Sequence, residues 1–383
     1  MPPAEKKGLL ARIWDYFFNP RRRVRCPYCL KYSRLHRSDA NCQNPACGRT
    51  LPDLYLAECD RMPPLFVPVL GWTGCGKTWS LFSMINTLEK MTKVWGEYTC
   101  QVAETGSLTW LRNFVRVMMF GTSEDREKLD KGTPPGIQPA YIFLLNYLPQ
   151  RWRGRDHTGR TLILRDFAGE IFSGEGKYEA IPPDQLSFIA EAEVVMLMFS
   201  LTDLTPGKAM AVRSMDQLLA NYVISMVRQI AKEKNLDFPT AQKKFREAKR
   251  KVIVTLGRAD ELKDDNKLPT HLSNYLADDP IDKAIRGDGF VNWSEKEMGL
   301  YLEKLDRASD AIREYLEHRY PDAQQMVRIA AQNNIQIKFC LTTATGPVKL
   351  SGPASEARLE PQRILDPLLA ALKFGEVPRP TTV

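Results

Sequence analysis

From about residue 60 onward, the chain alternates between short apolar runs and longer stretches with helical periodicity. The apolar runs predict six strands, at residues 65–70, 140–148, 161–165, 194–200, 252–256 and 335–341. In most of the intervening stretches, apolar residues recur every three or four positions, which is the spacing of an amphipathic helix. This order predicts an α/β fold with a mostly parallel six-stranded sheet that carries helices on both faces.

The connection between the second and third predicted strands breaks this pattern. Residues 150–159 are polar and too few to form a crossover helix, so they predict a hairpin and one antiparallel strand. Two long insertions, at about 208–250 and 263–330, carry apolar stripes at helical spacing, which we interpret as helix core. The tail at 377–383 is expected to be disordered.

The amino-terminal segment differs from the rest of the chain in pattern and in charge. Residues 1–20 predict a basic amphipathic helix, which fits a membrane surface, the protein's own body or a partner. The formal net charge is +8. Residues 1–50 carry eleven basic and three acidic residues, whereas the remainder is balanced. This segment could therefore meet acidic lipid, nucleic acid or an acidic protein, or be a solvated tail.

Apolar run lengths and cysteine usage bear on the compartment. No run approaches the roughly 20 apolar residues that cross a bilayer, and no signal peptide is readable. Four of the eight cysteines are scattered, at positions 59, 75, 100 and 340, which suits a reducing compartment better than a disulfide framework. These features predict a cytoplasmic protein, with attachment at the membrane periphery as an alternative.

The other four cysteines form two close pairs. Cys26 and Cys29 are separated by two residues, Cys42 and Cys47 by four, and twelve residues lie between the pairs. This spacing is typical of a tetrahedral zinc site, and four thiolates leave no open position for catalysis. We therefore predict a structural zinc ribbon over residues 21–58, whose metal replaces the core that so small a module lacks. Four free thiols without metal are the alternative.

The most specific pattern in the chain is the run from Gly71 to Thr78, which matches G-x-x-x-x-G-K-[ST]. A predicted strand precedes it and a predicted helix follows it, which is the context in which such a loop cradles phosphate groups with backbone N–H groups. Lys77 would neutralise the β- and γ-phosphates, and the Thr78 hydroxyl would bind Mg²⁺. All eight positions are predicted to bind nucleotide: Gly71, Trp72, Thr73, Gly74, Cys75, Gly76, Lys77 and Thr78.

A second motif supports this interpretation. Asp166 follows an apolar strand and begins the pattern D-x-x-G, which ends at Gly169. The carboxylate of Asp166 is predicted to hold Mg²⁺ through water, and the Gly169 N–H to reach the γ-phosphate. Arg165 precedes Asp166 on a strand, so its side chain is expected on the opposite face of the sheet.

This order of motifs resembles the Ras-like, translation-factor-related (TRAFAC) class of P-loop GTPases over most of residues 64–374, apart from the two insertions. The GTPase domain that the resemblance implies spans residues 60–376. The resemblance implies that Thr133 is the switch threonine that binds Mg²⁺ when the γ-phosphate is present; a plain proline-bounded loop is the alternative. The catalytic set that it implies is Lys77, Thr133, Gly169 and Glu170.

The same resemblance assigns the guanine-reading residues. Asp260 would accept hydrogen bonds from guanine, and Arg258 would lie over the base. Residues 342–344 are similar to the T-S-A motif of the class, with Thr343 and Ala344 placed to meet the base. Gly257 stands where the class has asparagine, so one anchoring hydrogen bond is missing. The elements present favour GTP over ATP.

Two departures bear on catalysis. Glu170 occupies the position at which the class has a water-orienting glutamine, and Thr73 occupies a loop position that is glycine in small GTPases. Both imply slow hydrolysis that awaits an arginine from an activating partner. The insertions and the cysteine module are similar to the large bacterial GTPases of the double-GTPase type. The sequence thus favours a GTP/GDP- and Mg²⁺-dependent switch, with an ATPase, a nucleotide kinase or a non-hydrolysing scaffold as alternatives.

Overall fold

A computed structural model of the protein describes residues 22–36, 39–45, 47–72, 74–120, 140–148, 157–167, 188–204, 214–264, 268–287, 294–344 and 360–375. The predicted helix at 1–20 and the predicted tail at 377–383 lie outside these residues. Within them, no helix is long and apolar enough to cross a bilayer.

The bounds of the elements, in chain order, are as follows. The strands are β1 (Arg22–Arg25), β2 (Tyr32–Leu35), β3 (Pro64–Gly71), β4 (Thr99–Val102), β5 (Ala140–Asn146), β6 (Gly159–Asp166), β7 (Val194–Ser200), β8 (Arg250–Gly257) and β9 (Ile335–Leu341). The helices are α1 (Asp53–Glu58), α2 (Lys77–Glu89), α3 (Thr105–Phe120), α4 (Met215–Lys234), α5 (Phe238–Glu247), α6 (Ala259–Asp264), α7 (Thr270–Ala277), α8 (Pro280–Arg286), α9 (Glu295–Arg319), α10 (Pro321–Gln332) and α11 (Asp366–Phe374).

One large sheet organises the described residues, with the strand order β4-β5-β6-β3-β7-β8-β9. Its pairs are parallel except at β5, which runs antiparallel to both β4 and β6. The predicted α/β class, the mostly parallel sheet and the single antiparallel strand are therefore confirmed. The connection from β3 through α2 places the loop after β3 at the carboxyl edge of the sheet, next to the ends of β6 and β7.

The predicted number of six strands is wrong, because the sheet has seven in the described part of the chain. The missed strand is β4, at the sheet edge. It has four residues, which alternate between exposed and half-buried positions. So short a strand has no apolar run to reveal it, and it exists because β5 offers its backbone as a partner.

The central strands are apolar on both faces because helices cover both faces. Along β3, Phe66 and Leu70 face one apolar layer, formed with α4, α5, α10 and the β1–β2 hairpin. Leu65, Val67 and Val69 face the other, formed with α2, α3, α11 and the first half of α9. This two-sided burial explains why the strands read as continuous apolar runs in the sequence.

A buried polar cluster joins the second insertion to the last helix. The hydroxyls of Tyr275 in α7 and Tyr301 in α9 donate to the carboxylate of Asp366, which opens α11. Arg363 donates to the Tyr275 carbonyl at 2.8 Å, and its backbone N–H donates to Asp279 at 2.5 Å. Buried charges need such partners, so this cluster holds the segment after β9 against α7, α8 and α9.

Candidate functional site

The loop between β3 and α2 has the backbone geometry that its sequence predicts. Gly74 and Gly76 have φ angles of 83° and 91°, in the left-handed region that favours glycine. A Cβ at Gly71 would lie 2.4 Å from the carbonyl oxygen of Met198 in β7, so this glycine permits the loop to leave β3 close to the neighbouring strand. Any side chain at these three positions would strain or displace the loop.

Lys77, the first residue of α2, lies inside this loop. Its ammonium donates to the carbonyl oxygens of Gly71 at 2.8 Å and Trp72 at 3.0 Å, and the residue is 9% exposed. The first turn of α2 has no acidic residue and no side-chain cap at Gly76. Burial raises the pKa of the Cys75 thiol, which keeps the thiol neutral. The loop is therefore electropositive and suited to an anion.

Asp166 lies beside this loop. It ends β6 and is paired in register with Val69 of β3, two residues before Gly71. The carboxyl group is buried, and that burial raises its pKa to about 6, although the charge of Lys77 acts in the opposite direction. A buried carboxylate beside a phosphate loop is arranged to accept a cation, which would return it to the ionised form. Thr78, which could share that cation, is partly exposed in the first turn of α2.

We expect Asp166→Asn to stabilise the nucleotide- and magnesium-free protein at pH 7.5. Because the folded-state pKa of Asp166 is about 6 rather than 3.8, its stabilising contribution is present below about pH 4 and is lost as the pH rises through 6. The loss amounts to about 2–3 kcal/mol. Denaturant unfolding of both proteins should show an advantage for the variant at pH 7.5 that shrinks at pH 5.

The same substitution at Asp310, which is exposed on α9, controls for the loss of one negative charge. An equal advantage for Asp166→Asn at both pH values would contradict the assignment of the effect to this buried carboxyl group.

The ends of β8 and β9 form the other half of the site. Arg258, directly after β8, is exposed and has a φ of 58°, and Asp260 lies two residues further in the first turn of α6. The N–H of Ala259 donates to the carbonyl oxygen of Thr342 at 3.2 Å, so the two strand ends are held together.

Two further contacts hold the loop after β9. The Ser83 hydroxyl of α2 donates to the carbonyl oxygen of Ala344 at 2.6 Å. The backbones of Thr343 and Gln362 exchange hydrogen bonds of 3.0 and 3.1 Å. Gln362 precedes the buried polar cluster around Arg363, so the second insertion supports this loop through the carboxyl-terminal segment.

A cleft of about 270 Å³ connects the two halves. It runs from the last turn of the phosphate loop to the residues after β8 and β9, and its lining consists of Cys75, Gly76, Trp79, Ser80, Gly257, Arg258, Asp260, Glu261, Thr343 and Ala344. The structure thus brings six of the predicted nucleotide-binding residues to one cleft, from three separate regions of the chain.

Sequence reasoning did not single out Trp79, Ser80 or Glu261. Trp79 and Ser80 follow the phosphate-loop motif on α2, and Glu261 lies one helical turn after Arg258, with which it forms an ion pair of 3.8 Å. Their position next to the motifs in the sequence could have identified them as residues of the site. The predicted residues Thr73, Thr133, Gly169 and Glu170 lie outside the described residues.

The four clustered cysteines also converge. Their sulfur atoms all lie within 4.8 Å of one another, with 3.9 Å between Cys26 and Cys47 and 3.6 Å between Cys29 and Cys42. The edge of a tetrahedron of thiolates around zinc is about 3.8 Å, given a Zn–S distance of about 2.3 Å. The hydrogen bond between Cys26 and Cys29 lowers the pKa of the Cys29 thiol and raises that of the Cys26 thiol, so it favours one thiolate of the pair, and a bound metal would have to displace the other protons. These residues could hold one metal ion.

The backbone around these cysteines forms two tight turns. The first follows β1 and has Leu30 at a φ of 60°, and the second ends with Gly48 at a φ of 56°. The N–H of Tyr28 donates to the Cys26 sulfur at 3.4 Å, as knuckle turns do. Such N–H···S bonds preorganise the sulfur for a metal.

Comparisons with known proteins identify no family for this chain. No protein-family model matches the sequence, and no curated protein matches it. Among solved structures, it is similar to the GTPase-like domain of S. cerevisiae Ski7 bound to GDP and inorganic phosphate, at 14% identity and a TM-score of 0.30, over 85% of this chain and 53% of that one. The same domain bound to GTP matches at 16% identity and a TM-score of 0.24, over 63% and 43%.

This chain therefore spans about half the length of the Ski7 structures that it matches. Likeness at this level carries no argument about activity, and the finer resemblance to double-GTPases has no support from these comparisons. The case for a function therefore rests on the geometry of the site.

Proposed function

We propose that the protein is a GTP-binding molecular switch with slow, Mg²⁺-dependent GTP hydrolysis. The observation that carries this proposal is the single cleft that joins the end of the phosphate loop to Asp260 and Ala344. A nucleoside triphosphate has a polyanionic end and a base. One end of this cleft is formed by Cys75 and Gly76, directly before Lys77, and the other end carries the Asp260 carboxylate.

The phosphate end supplies three roles. Lys77 would exchange its carbonyl partners for phosphate oxygens, which form stronger, charge-assisted hydrogen bonds. Thr78 and Asp166 would hold Mg²⁺, the first directly and the second through water. The bound ion would neutralise charge on the phosphates, and the burial of Asp166 would strengthen the attraction between its carboxylate and the ion.

The base end favours guanine. A carboxylate can accept two hydrogen bonds from guanine, whereas adenine offers no matching pair of donors. Asp260 would supply that carboxylate, the Ala344 N–H would meet the guanine carbonyl, and Arg258 would cover the base.

Gly257 weakens this end and keeps ATP as an alternative. A Cβ there would meet its nearest atoms, the carbonyl oxygens of Phe199 and Cys75, at 3.6 and 3.9 Å, in ordinary contact. The space around Gly257 therefore admits a β-carbon, so crowding at this position does not explain why glycine replaces the anchoring asparagine.

The test is a titration of the purified full chain with fluorescent GTP, ATP and XTP in the presence of Mg²⁺, for the wild type and Asp260→Asn. The wild type should bind GTP tighter than ATP. The asparagine offers an amide donor where xanthine has a carbonyl group, so the variant should lose about 10–100-fold in GTP affinity and gain affinity for XTP. Affinity for ATP should change little, since the contact is specific to the base.

Tighter binding of ATP than of GTP by the wild type would overturn the GTPase assignment and favour an ATPase. Unchanged GTP affinity in Asp260→Asn would remove this residue from the base site. Glu261→Gln, which alters an adjacent carboxylate of the same cleft, separates a specific contact from a general loss of negative charge.

The remaining roles are proposed from the sequence. Thr133 would order on the bound Mg²⁺, Gly169 would sense the γ-phosphate, and Glu170 would replace the usual water-orienting glutamine poorly, so hydrolysis would be slow without an activating protein. Single-turnover assays at enzyme excess would measure that rate. Nucleotide that stays intact, even with cell extract, would favour a non-hydrolysing scaffold.

We also propose that the four cysteines bind structural Zn²⁺ and that residues 1–50 dock the protein to a partner or an anionic surface. The convergence of the four sulfur atoms supports the metal site. The excess of basic residues in this segment supports the docking role.

A further inference from the structure

The cysteine cluster and the candidate nucleotide site are joined by one buried side chain. Arg165 is the penultimate residue of β6, next to Asp166, and is 1% exposed. Its guanidinium donates to the carbonyl oxygen of Tyr28 at 2.8 Å. Tyr28 lies between Cys26 and Cys29, in the first knuckle of the cluster. A strand end that carries a site carboxylate is therefore hydrogen-bonded to the backbone of the cysteine cluster.

Arg165 also packs against two aromatic residues, Phe167 and Phe188. Its guanidinium carbon lies 5.2 Å from the ring centre of Phe167 and 5.0 Å from that of Phe188. These rings contact each other at 5.7 Å. The Phe167 N–H donates to the carbonyl oxygen of Val69 at 3.0 Å, which ties the end of β6 to β3. Displacement of Arg165 would thus shift the backbone next to Asp166.

A second contact fixes the hairpin against the same strands. Arg25, the last residue of β1, forms ion pairs of 3.1 Å with both Glu191 and Glu193. Glu193 accepts a hydrogen bond of 3.2 Å from the N–H of Phe66 in β3. The hairpin is therefore seated on β3 and β6, which carry the phosphate loop and Asp166.

The chemistry of arginine suits this connection. Burial of a guanidinium is costly unless acceptors are close by, so the Tyr28 carbonyl helps to fix the position of Arg165. That carbonyl belongs to the first knuckle, where the N–H of the same residue donates to the Cys26 sulfur, one of the four that converge. Replacement of a residue that is hydrogen-bonded to a metal ligand commonly changes metal affinity by about 10–100-fold. Arg165 acts one step further out, through the backbone that it shares with its neighbour Asp166, so the effect of its replacement should lie at the low end of that range.

We propose that Arg165 is a positioning residue that couples the cysteine cluster to Asp166, so that an intact cluster strengthens Mg²⁺-dependent nucleotide binding. This inference rests on the proposed nucleotide-binding function. It assigns the cysteine hairpin a role at the candidate site itself, in addition to any docking role.

The test compares the wild type with Arg165→Met, which keeps the aliphatic stem and removes the donor. The affinity for a fluorescent GTP analogue is measured twice. One titration contains about 5 mM Mg²⁺, to fill the proposed ion site, and the other is in Mg²⁺-free buffer, to leave it empty. We expect the Mg²⁺-dependent gain in affinity to fall about tenfold in the variant. The affinity without Mg²⁺ should change less than about threefold, because Lys77 and the loop are untouched.

Arg160→Met is the matched control. Arg160 is also fully buried on β6, near its other end roughly 17 Å away, where it donates to the carbonyl oxygen of Pro63. Its replacement should lower the thermal midpoint and leave the Mg²⁺-dependent gain intact. Arg165→Lys, which retains one charged donor, should restore part of the gain.

A second experiment removes the proposed zinc ion from the cysteine cluster. Zinc is stripped with a zinc-selective chelator, Mg²⁺ is resupplied, and the fold is checked by circular dichroism. The stripped wild type should lose the same Mg²⁺-dependent gain, and stripping should add nothing in Arg165→Met.

The outcomes separate the two claims. Wild-type GTP binding with an unchanged Mg²⁺-dependent gain in Arg165→Met would overturn this inference and leave the proposed function standing. Equal losses in Arg165→Met and Arg160→Met would reduce Arg165 to a structural residue. A wild type that binds no nucleotide would overturn both.

Discussion

Lys77→Ala should lower GTP affinity by at least about 100-fold, since each hydrogen bond from an ammonium group to phosphate contributes about 1.5–3 kcal/mol and two phosphates are contacted. The variant should fold, because the side chain opens α2 and alanine favours a helix. Among the described residues, the ammonium donates to the carbonyl oxygens of its own loop, so its removal breaks no contact with another element. The measurement is a fluorescent-nucleotide titration with Mg²⁺.

Lys90→Ala is its control, because Lys90 caps the other end of α2 and is exposed. It removes one positive charge from the same helix without touching the loop, so GTP affinity should stay within about twofold. Thermal unfolding gives a second readout. Saturating GTP should raise the midpoint of the wild type and of Lys90→Ala but not that of Lys77→Ala. Strong GTP binding by Lys77→Ala would show that the phosphates do not lie in this loop.

Cys42→Ser is expected to abolish stoichiometric zinc binding and to lower the free energy of unfolding by several kcal/mol. Structural zinc contributes about 10–16 kcal/mol in isolated zinc-finger peptides, and removal of one of four thiolates forfeits a large part of this. The effect should spread beyond the hairpin, because Val24, Leu30, Leu35 and Leu51 belong to the same apolar cluster as Phe66 of β3. Zinc content by atomic absorption and thermal unfolding are the measurements.

The matched variant is Cys59→Ser, because Cys59 is a free, partly buried cysteine just after α1 and outside the cluster. It should retain one zinc ion per chain and unfold within a few degrees of the wild type. Chelation of zinc from the wild type should reproduce the instability of Cys42→Ser. Metal-free wild type that unfolds at the same temperature as the loaded protein would rule out a structural role for the metal.

A contrast between Asp166 and Lys77 connects stability with function. Both residues are polar and buried. Burial lowers the stability of the protein when the Asp166 carboxyl group is ionised. Proteins retain such groups where ligand binding compensates for them. The expected stabilisation in Asp166→Asn and the expected loss of binding in Lys77→Ala are therefore two results of one arrangement.

The local sequence by itself determined several features. The phosphate loop was predictable because its glycines, lysine and threonine must stand at fixed spacing between a strand and a helix, and Gly74 and Gly76 have the positive φ angles that such a loop requires. The four cysteines were predictable for the same reason, since tetrahedral geometry limits the spacing of thiolates. The buried strands were predictable from their apolar runs. The short polar link before β6 was too short for a helix, and it therefore predicted that β5 runs antiparallel to β6.

Only the tertiary structure decided the rest. The edge strand β4 has no apolar signature and forms because β5 presents an unpaired backbone edge. The cleft assembles residues after β3, β8 and β9, which meet because parallel strands end at one edge of the sheet. The contact of Arg165 with Tyr28 joins positions 137 residues apart. Such contacts arise from the packing of both sheet faces, a long-range property that no local window of sequence contains.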